Sequence, residues 1–170
     1  MVSRVADSVL RPFDTIVAYA DAPVWIVTAR SEERRAGCLV GFAAQVSIEP
    51  RRFLVGLSTA NHTFTIAEGA RHLAVHLLDA DGFALAQLFG AETGVELDKF
   101  EHCDWHTGPH GLPILGGAAG WFTGEVVQRV EFGDHIGFVL APTAAHAPAA
   151  PVRSLRYDKV ADLDPGQPAD

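Results

Sequence analysis

Little of this chain is cationic, sulfur-bearing or continuously apolar, and each shortage removes a class of function. Lys and Arg total 13 against 21 Asp and Glu, giving a net charge of −8. Binding to phosphate backbones or anionic membranes needs clustered cations, yet the only basic doublets are Arg34–Arg35 and Arg51–Arg52. No nucleic acid and no membrane are therefore expected as partners. Cys38 and Cys103 form no motif, so free thiols in a reducing compartment are expected rather than a disulfide. No run approaches the roughly 20 apolar residues of a membrane span, and Arg4, Asp7 and Arg11 interrupt the first residues, so no signal peptide is expected. There is no Gly-rich phosphate loop of the Walker or Rossmann kind, no repeat, no obvious catalytic triad and no paired carboxylates. The expectation is one cytoplasmic domain of 170 residues with a core over about 12–160 and a polar tail over 161–170. A chain of that size buries a full core without staples.

What is present is organised around Gly37–Ser58, GCLVGFAAQVSIEPRRFLVGLS. It reads as two strands folded back on each other, Cys38 to about Gln45 and Phe53 to Ser58, joined through Ser47, Glu49 and Pro50. Gly41, Ala43 and Ala44 leave the first strand nearly bare of bulk. Such a strand packs poorly unless something approaches its backbone closely. A flat ring is one candidate, with peptide N–H groups at its polar edge; a strand crossing inside a crowded barrel is the other.

Before this stretch, Phe13, Ile16, Val17 and Ala20 fall on one face of a short helix over Pro12–Ala20, with Pro12 in its first turn. Val24–Thr28 is a buried strand, and Arg30–Arg35 a solvated hairpin loop. After it, Asn61 caps a helix running through Phe64 and Ala67. Ser58, Asn61, His62 and Thr63 at that start either cap the helix or gather on an anion such as a phosphate. His72 and His76 share one face of the strand Leu73–Leu78, roughly 13 Å apart and too far for one metal; they are read as solvent-facing or at a subunit contact. Asp81 caps a helix that Gly90 ends, and Glu92–Asp98 is a polar turn. His102, Cys103, His106 and His110 have zinc-like chemistry, but Gly108, Pro109 and Gly111 break any regular spacing, so no metal is expected. The connection through Gly117 is irregular. Trp121–Phe132 is a long strand bent at Gly124, turned by Gly133-Asp134 into His135–Leu140, and Leu155–Tyr157 is a last short strand. The pattern is mainly β: a small antiparallel barrel with two or three peripheral helices.

In order, Ile26-Val27-Thr28, Gly37, Ser47-Ile48-Glu49-Pro50, Phe53–Ser58, Asn61-His62-Thr63, Asp98-Lys99-Phe100, Trp105, Gly111–Leu115 and Gly133-Asp134-His135 resemble the flavin reductase family with the FMN-binding split-barrel fold. The resemblance spans about Pro23 to Tyr157. It implies a homodimer that binds FMN, or FAD, and catalyses NADH- or NADPH-dependent flavin reduction, often for a separate monooxygenase. It also implies that Gly41, Phe42, Ala43, Ala44, Gln45 and Ser47 edge the flavin ring. Ser58, Asn61, His62 and Thr63 would hold its phosphate end, with Lys99 and Phe100 close by. His135 would face the nicotinamide. The family commonly carries hydroxyls where this chain has Leu39–Ala43, so backbone groups must do more here. Hydride transfer between stacked rings asks little of acid–base side chains, consistent with the missing triad. The alternatives are a split barrel that holds flavin, deazaflavin or haem as a sensor without turnover.

Overall fold

The computed structural model describes residues 5–91 and 97–163. Most of the expected Glu92–Asp98 turn, and the polar tail from Asp164, lie outside the described residues. Seven antiparallel strands form the main sheet: β1 (Trp25–Ser31), β2 (Arg34–Val40), β3 (Ala43–Ile48), β4 (Arg51–Ser58), β5 (His72–Leu77), β8 (Gly120–Glu131) and β9 (His135–His146). Their order is β2-β1-β5-β8-β9-β4-β3, so consecutive strands β2 and β3 occupy opposite edges. The expected single strand Cys38–Gln45 is thus corrected to two. Its first part pairs with β1, and only Ala43 onward pairs with β4. The chain crosses between edges at Gly41-Phe42, and the Gly56 N–H donates to the Phe42 carbonyl at 2.7 Å. That bond joins the β2–β3 corner to β4 and curls the sheet into a barrel.

One apolar cluster fills the barrel, with Val27, Cys38, Val55, Leu57, Leu73, Val75, Phe138 and Leu140 meeting from five strands. A second lies outside it, where Ile26, Leu78, Phe89, Phe100, Leu115 and Leu155 pack together. Strand β1 supplies both, which is why Val24–Thr28 is apolar without alternation. Helix α3 (Phe83–Ala91) presses so closely on β2 that a Cβ at Gly37 would sit 2.7 Å from the Phe89 ring. Helix α2 (His62–Ala67) starts as expected, with Asn61 Oδ1 accepting the Thr63 N–H at 2.8 Å. Strand β8 shifts register between Thr123 and Gly124, where the bend was expected, and again between Val126 and Gln128. Among the described residues no helix is long and apolar enough to cross a membrane.

Several expectations are corrected. Helix α1 runs Asp7–Ala20, so Pro12 sits inside it, not in its first turn. Asp81 does not cap α3; its own N–H bonds to Asp79 Oδ1, and α3 continues past Gly90. The Arg30–Arg35 loop shrinks to the turn at Glu32-Glu33, because Arg30 and Arg35 pair. The irregular connection contains a small hairpin, β6 (Trp105–Thr107) with β7 (Pro113–Leu115). Strand β9 runs past the expected end at Leu140 to His146, and Leu155–Tyr157 makes only an isolated bridge before a 3-10 turn.

The largest correction concerns His76, which is fully buried instead of solvent-facing. Its Nδ1–H donates to the Ile26 carbonyl at 3.0 Å, and Nε2 accepts the Leu115 N–H at 3.1 Å, pinning β7 to the sheet. Beside it the Thr28 hydroxyl donates to the Pro113 carbonyl at 2.6 Å. His72 stacks on the His110 ring, centroids 3.6 Å apart. Burial pushes the His76 imidazole down to about 4 from 6.5, against the opposing effect of the Ile26 carbonyl. Above pH 6.5 the ring is neutral folded or unfolded, and its contribution is complete. As pH falls from 6.5 through 4, the unfolded chain takes up the proton first and stability is lost, by up to about 3 kcal/mol. Denaturant titrations across that range should show this slope. His76→Leu should flatten it while costing about 2–4 kcal/mol at neutral pH, because two buried backbone groups lose partners.

Candidate active site

Seven of the thirteen expected site residues line one of two concavities, Phe42, Ala43, Ala44 and His135 the first and His62, Lys99 and Phe100 the second. The first, about 320 Å³, is lined by Phe42, Ala43, Ala44, Leu54, Gly56, Phe132, Asp134 and His135. Its floor is the outer face of β3, β4 and β9, and small residues make the room: a Cβ at Gly56 would lie 3.2 Å from Phe42 Cβ, and one at Gly137 would strike the Phe132 ring. Strand β3 is an edge, so one side of its backbone has N–H and C=O groups without ladder partners. An apolar floor beside free peptide groups suits a flat heteroaromatic ring with a polar rim.

His135 stands at the mouth. Its Nδ1 is 2.7 Å from Asp134 Oδ1, and that hydrogen bond holds the exposed Asp134 carboxyl below the usual carboxylate range. The ring also meets Phe42 edge-on, centroids 4.8 Å apart. With Nδ1 fixed, no described residue bonds Nε2, which is left for a ligand. The Gly133-Asp134 turn is itself tied to the end of β4, because the Thr59 N–H donates to the Asp134 carbonyl at 3.0 Å.

The second concavity, about 360 Å³, is polar and has His62 in its wall, four residues beyond Ser58, which pairs with His135. Arg34, Arg35 and Lys99 line it with the carboxylates Glu33 and Asp98, beside Gly37, His62 and Phe100. Arg35 pairs with Asp98 at 3.1 Å and lies over the Phe100 and Trp105 rings. Lys99 is buried, with Nζ donating to the Gly37 and Phe89 carbonyls at 3.2 and 3.0 Å. It braces β2 against α3 and lends positive charge from beneath.

The remaining expected residues are placed differently. Asn61 is spent on the α2 cap, and Ser58 Oγ accepts the Ala60 N–H at 3.3 Å. Thr63 is buried and its hydroxyl bonds the Cys38 thiol; burial outweighs that bond and pushes the thiol up to about 11. Gln45 faces a separate hollow with Phe53 and Phe122, and its amide bonds the Ser47 carbonyl. Gly41 forms the corner itself. Among the described residues no three His, Cys, Asp or Glu side chains converge as metal ligands. Sequence reasoning missed Leu54, Gly56, Phe132 and Asp134 as lining residues. The first two were legible as outward positions of a strand; Phe132 and Asp134 needed the hairpin register.

Ala43 packs against the barrel core while Ala44 is exposed in the cavity. Ala44→Leu should therefore block FMN, the ligand that the sequence resemblance implies, and leave the melting temperature nearly unchanged. Ala43→Leu should instead overpack the core and cost about 1–3 kcal/mol. Thermal melts without ligand, set beside FMN titrations, separate the two.

Residues 18–160 match the flavin reductase like domain. The chain is 32% identical over 123 residues to the FMN reductase (NADH) RutF of Klebsiella pneumoniae, covering 72% of this chain and 74% of that one. Among solved structures, a flavin reductase domain protein from Arthrobacter is 25% identical with a TM-score of 0.78, covering 95% of this chain and 96% of that chain. The NADH:FAD oxidoreductase SgcE6 of Streptomyces globisporus shares the fold, with a TM-score of 0.79 at 20% identity over 91% of this chain and 92% of its own. With a match across nearly all of the sheet that builds both concavities, the chain belongs to the flavin reductase-like domain family.

Proposed function

We propose that this protein is an NADH-dependent flavin reductase, acting on FMN, with FAD and NADPH as further substrates to test. One observation carries the reading: a ring-sized apolar cavity has His135 at its mouth, and a polar groove with three cations and two carboxylates begins at His62, four residues beyond Ser58, the ladder partner of His135. Flavin, when bound, supplies the acceptor for the hydride of the nicotinamide. Ala44, Leu54 and Gly56 would hold the flat ring and exclude water, and the free edge of β3 near Phe42 would bond its rim. His62 would hold the phosphate end, with Lys99 and Arg34 adding positive charge. Ser58 and Asn61 shape that turn, while Gly41, Ala43, Gln45, Ser47, Thr63 and Phe100 support the walls. His135, held in one orientation by Asp134, would present Nε2 to the incoming carboxamide. The reading treats the chain as one domain working as a homodimer, and its product suits a flavin-dependent monooxygenase.

NADH oxidation with added FMN tests the activity directly. A yellow protein without turnover would point to a flavin-holding sensor, and a Soret band to haem; either result would sink the reductase. His135→Ala should raise KM for NADH and lower kcat by roughly three- to tenfold, the worth of one oriented hydrogen bond. FMN affinity should hardly move, and a loss confined to FMN affinity would remove the nicotinamide role.

The phosphate end has its own test. His62→Ala should weaken FMN severalfold but leave riboflavin nearly unaffected, since only FMN carries the phosphate. Equal losses for both ligands would place the phosphate elsewhere. Asn61→Ala, in contrast, should cost about 1 kcal/mol of stability through the lost cap.

A further inference from the structure

A further cavity, about 510 Å³, is larger than either concavity of the candidate site and shares no lining residue with them. It opens where the segment 153–159 passes the start of α3. Ala80, Phe83 and Leu155 give it apolar walls, and Arg153, Arg156 and Lys159 line it with cations. A mainly apolar hollow of this size with a few polar groups has the make-up of a small-molecule site.

The segment that builds it is held from both sides. The Leu155 N–H donates to the Leu78 carbonyl at 2.9 Å, just after β5, and the Leu155 carbonyl accepts the Val24 N–H at 3.1 Å, just before β1. The Tyr157 N–H donates to the Ala22 carbonyl at 2.9 Å. Leu155 is thereby buried, and its neighbours stand on fixed backbone. Little ordering is left for a ligand to impose.

Charge in the cavity is unequal. Asp21 and Asp158 line it as well, two carboxylates against three cations in a chain of net charge −8. Asp21 is spent, with Oδ1 accepting the Asp158 N–H at 2.9 Å and Oδ2 pairing with Arg156 at 3.4 Å. Asp158 lies 3.9 Å from Lys159. Arg153 is left over: it is exposed, and neither its guanidinium nor the Ser154 hydroxyl beside it bonds a described residue. A guanidinium takes a carboxylate through two parallel N–H···O bonds. Phe83, 41% exposed, offers a ring against which another ring can pack.

We propose that this cavity binds a small aromatic monocarboxylate, its carboxylate on Arg153 and its ring against Phe83. One negative charge matches the one unpaired cation, whereas a second would meet Asp21 and Asp158. The assignment is independent of the flavin reading, because the two sites share no residue and can be filled together.

Benzoate is the probe, titrated into the full chain by calorimetry with and without saturating FMN. The expected Kd is on the order of 0.1–1 mM, and equal in the two samples. Benzamide, of the same shape but uncharged, should bind about tenfold more weakly or worse. Arg153→Ala should lower benzoate affinity by about tenfold, and Arg153→Lys by less, since lysine keeps the charge without the fork. Both variants should melt with the parent and bind FMN unchanged. Phe83→Ala should cost severalfold in benzoate affinity. The absence of saturable benzoate binding overturns the proposal. So does displacement of benzoate by FMN, which would put it in the candidate active site, or an affinity that neither Arg153→Ala nor Phe83→Ala moves. Benzamide binding as tightly as benzoate overturns the carboxylate's part. A parent that binds benzoate in this way but no FMN would uphold the site and remove the flavin reading instead.

Discussion

A single backbone hydrogen bond, from the Gly56 N–H to the Phe42 carbonyl at 2.7 Å, marks the constraint on which the rest depends. It lies where the chain leaves one edge of the sheet and joins the other, so the barrel closes there. The crossing needs two backbones to come close, and Gly56 leaves that space, since a Cβ there would lie 3.2 Å from Phe42 Cβ. The same lack of side chains hollows the outer face above β4. Barrel closure and cavity are therefore one event: whatever fills the corner with side chains costs both. His135 is brought to this hollow by the pairing of Ser58 with His135 and by the Thr59–Asp134 bond.

Buried polar groups do a different job, holding chain that belongs to no main-sheet ladder. Thr28 and His76 each take one backbone group of the β7 region, and His76 takes a second from β1. Lys99 joins β2 to the end of α3 through two carbonyls. Each is satisfied, as buried polar groups must be, and together they fix the second apolar layer against the barrel. The Lys99 brace also sets one wall of the polar groove. The floor of the site is thus a product of strand packing, and its polar side of these cross-braces.

How far the residues spoke for themselves differs from element to element. The strands β1, β4 and β8, the Asn61 cap, the Gly124 bend and the Gly133-Asp134 turn were all legible, because each is fixed by neighbours a few residues away. Of the expected ring contacts, Phe42, Ala43, Ala44 and His135 line one cavity, while Gly41 forms the corner beside it. Alternation along β5 failed for His76, since that strand is covered on both faces and alternation marks burial only when one face is wet. Thr63 and Lys99 looked like ligand contacts by type, yet the structure turns the first to Cys38 and the second to two carbonyls.

Local chemistry by itself determined the mainly antiparallel β class, the turns, the cap and the family pattern, because hydrophobic period, Gly and Pro placement and short hydrogen bonds act within a few residues. Only the tertiary structure decided that Cys38–Gln45 breaks into two strands at opposite sheet edges, that Ala43 faces the core while Ala44 faces the cavity, and that Leu54, Phe132 and Asp134 join them. Those outcomes follow from strand order and register, in which partners 75 or more positions apart, such as Thr59 with Asp134, must meet. No local preference encodes a shift of one residue that exchanges the two faces of a strand.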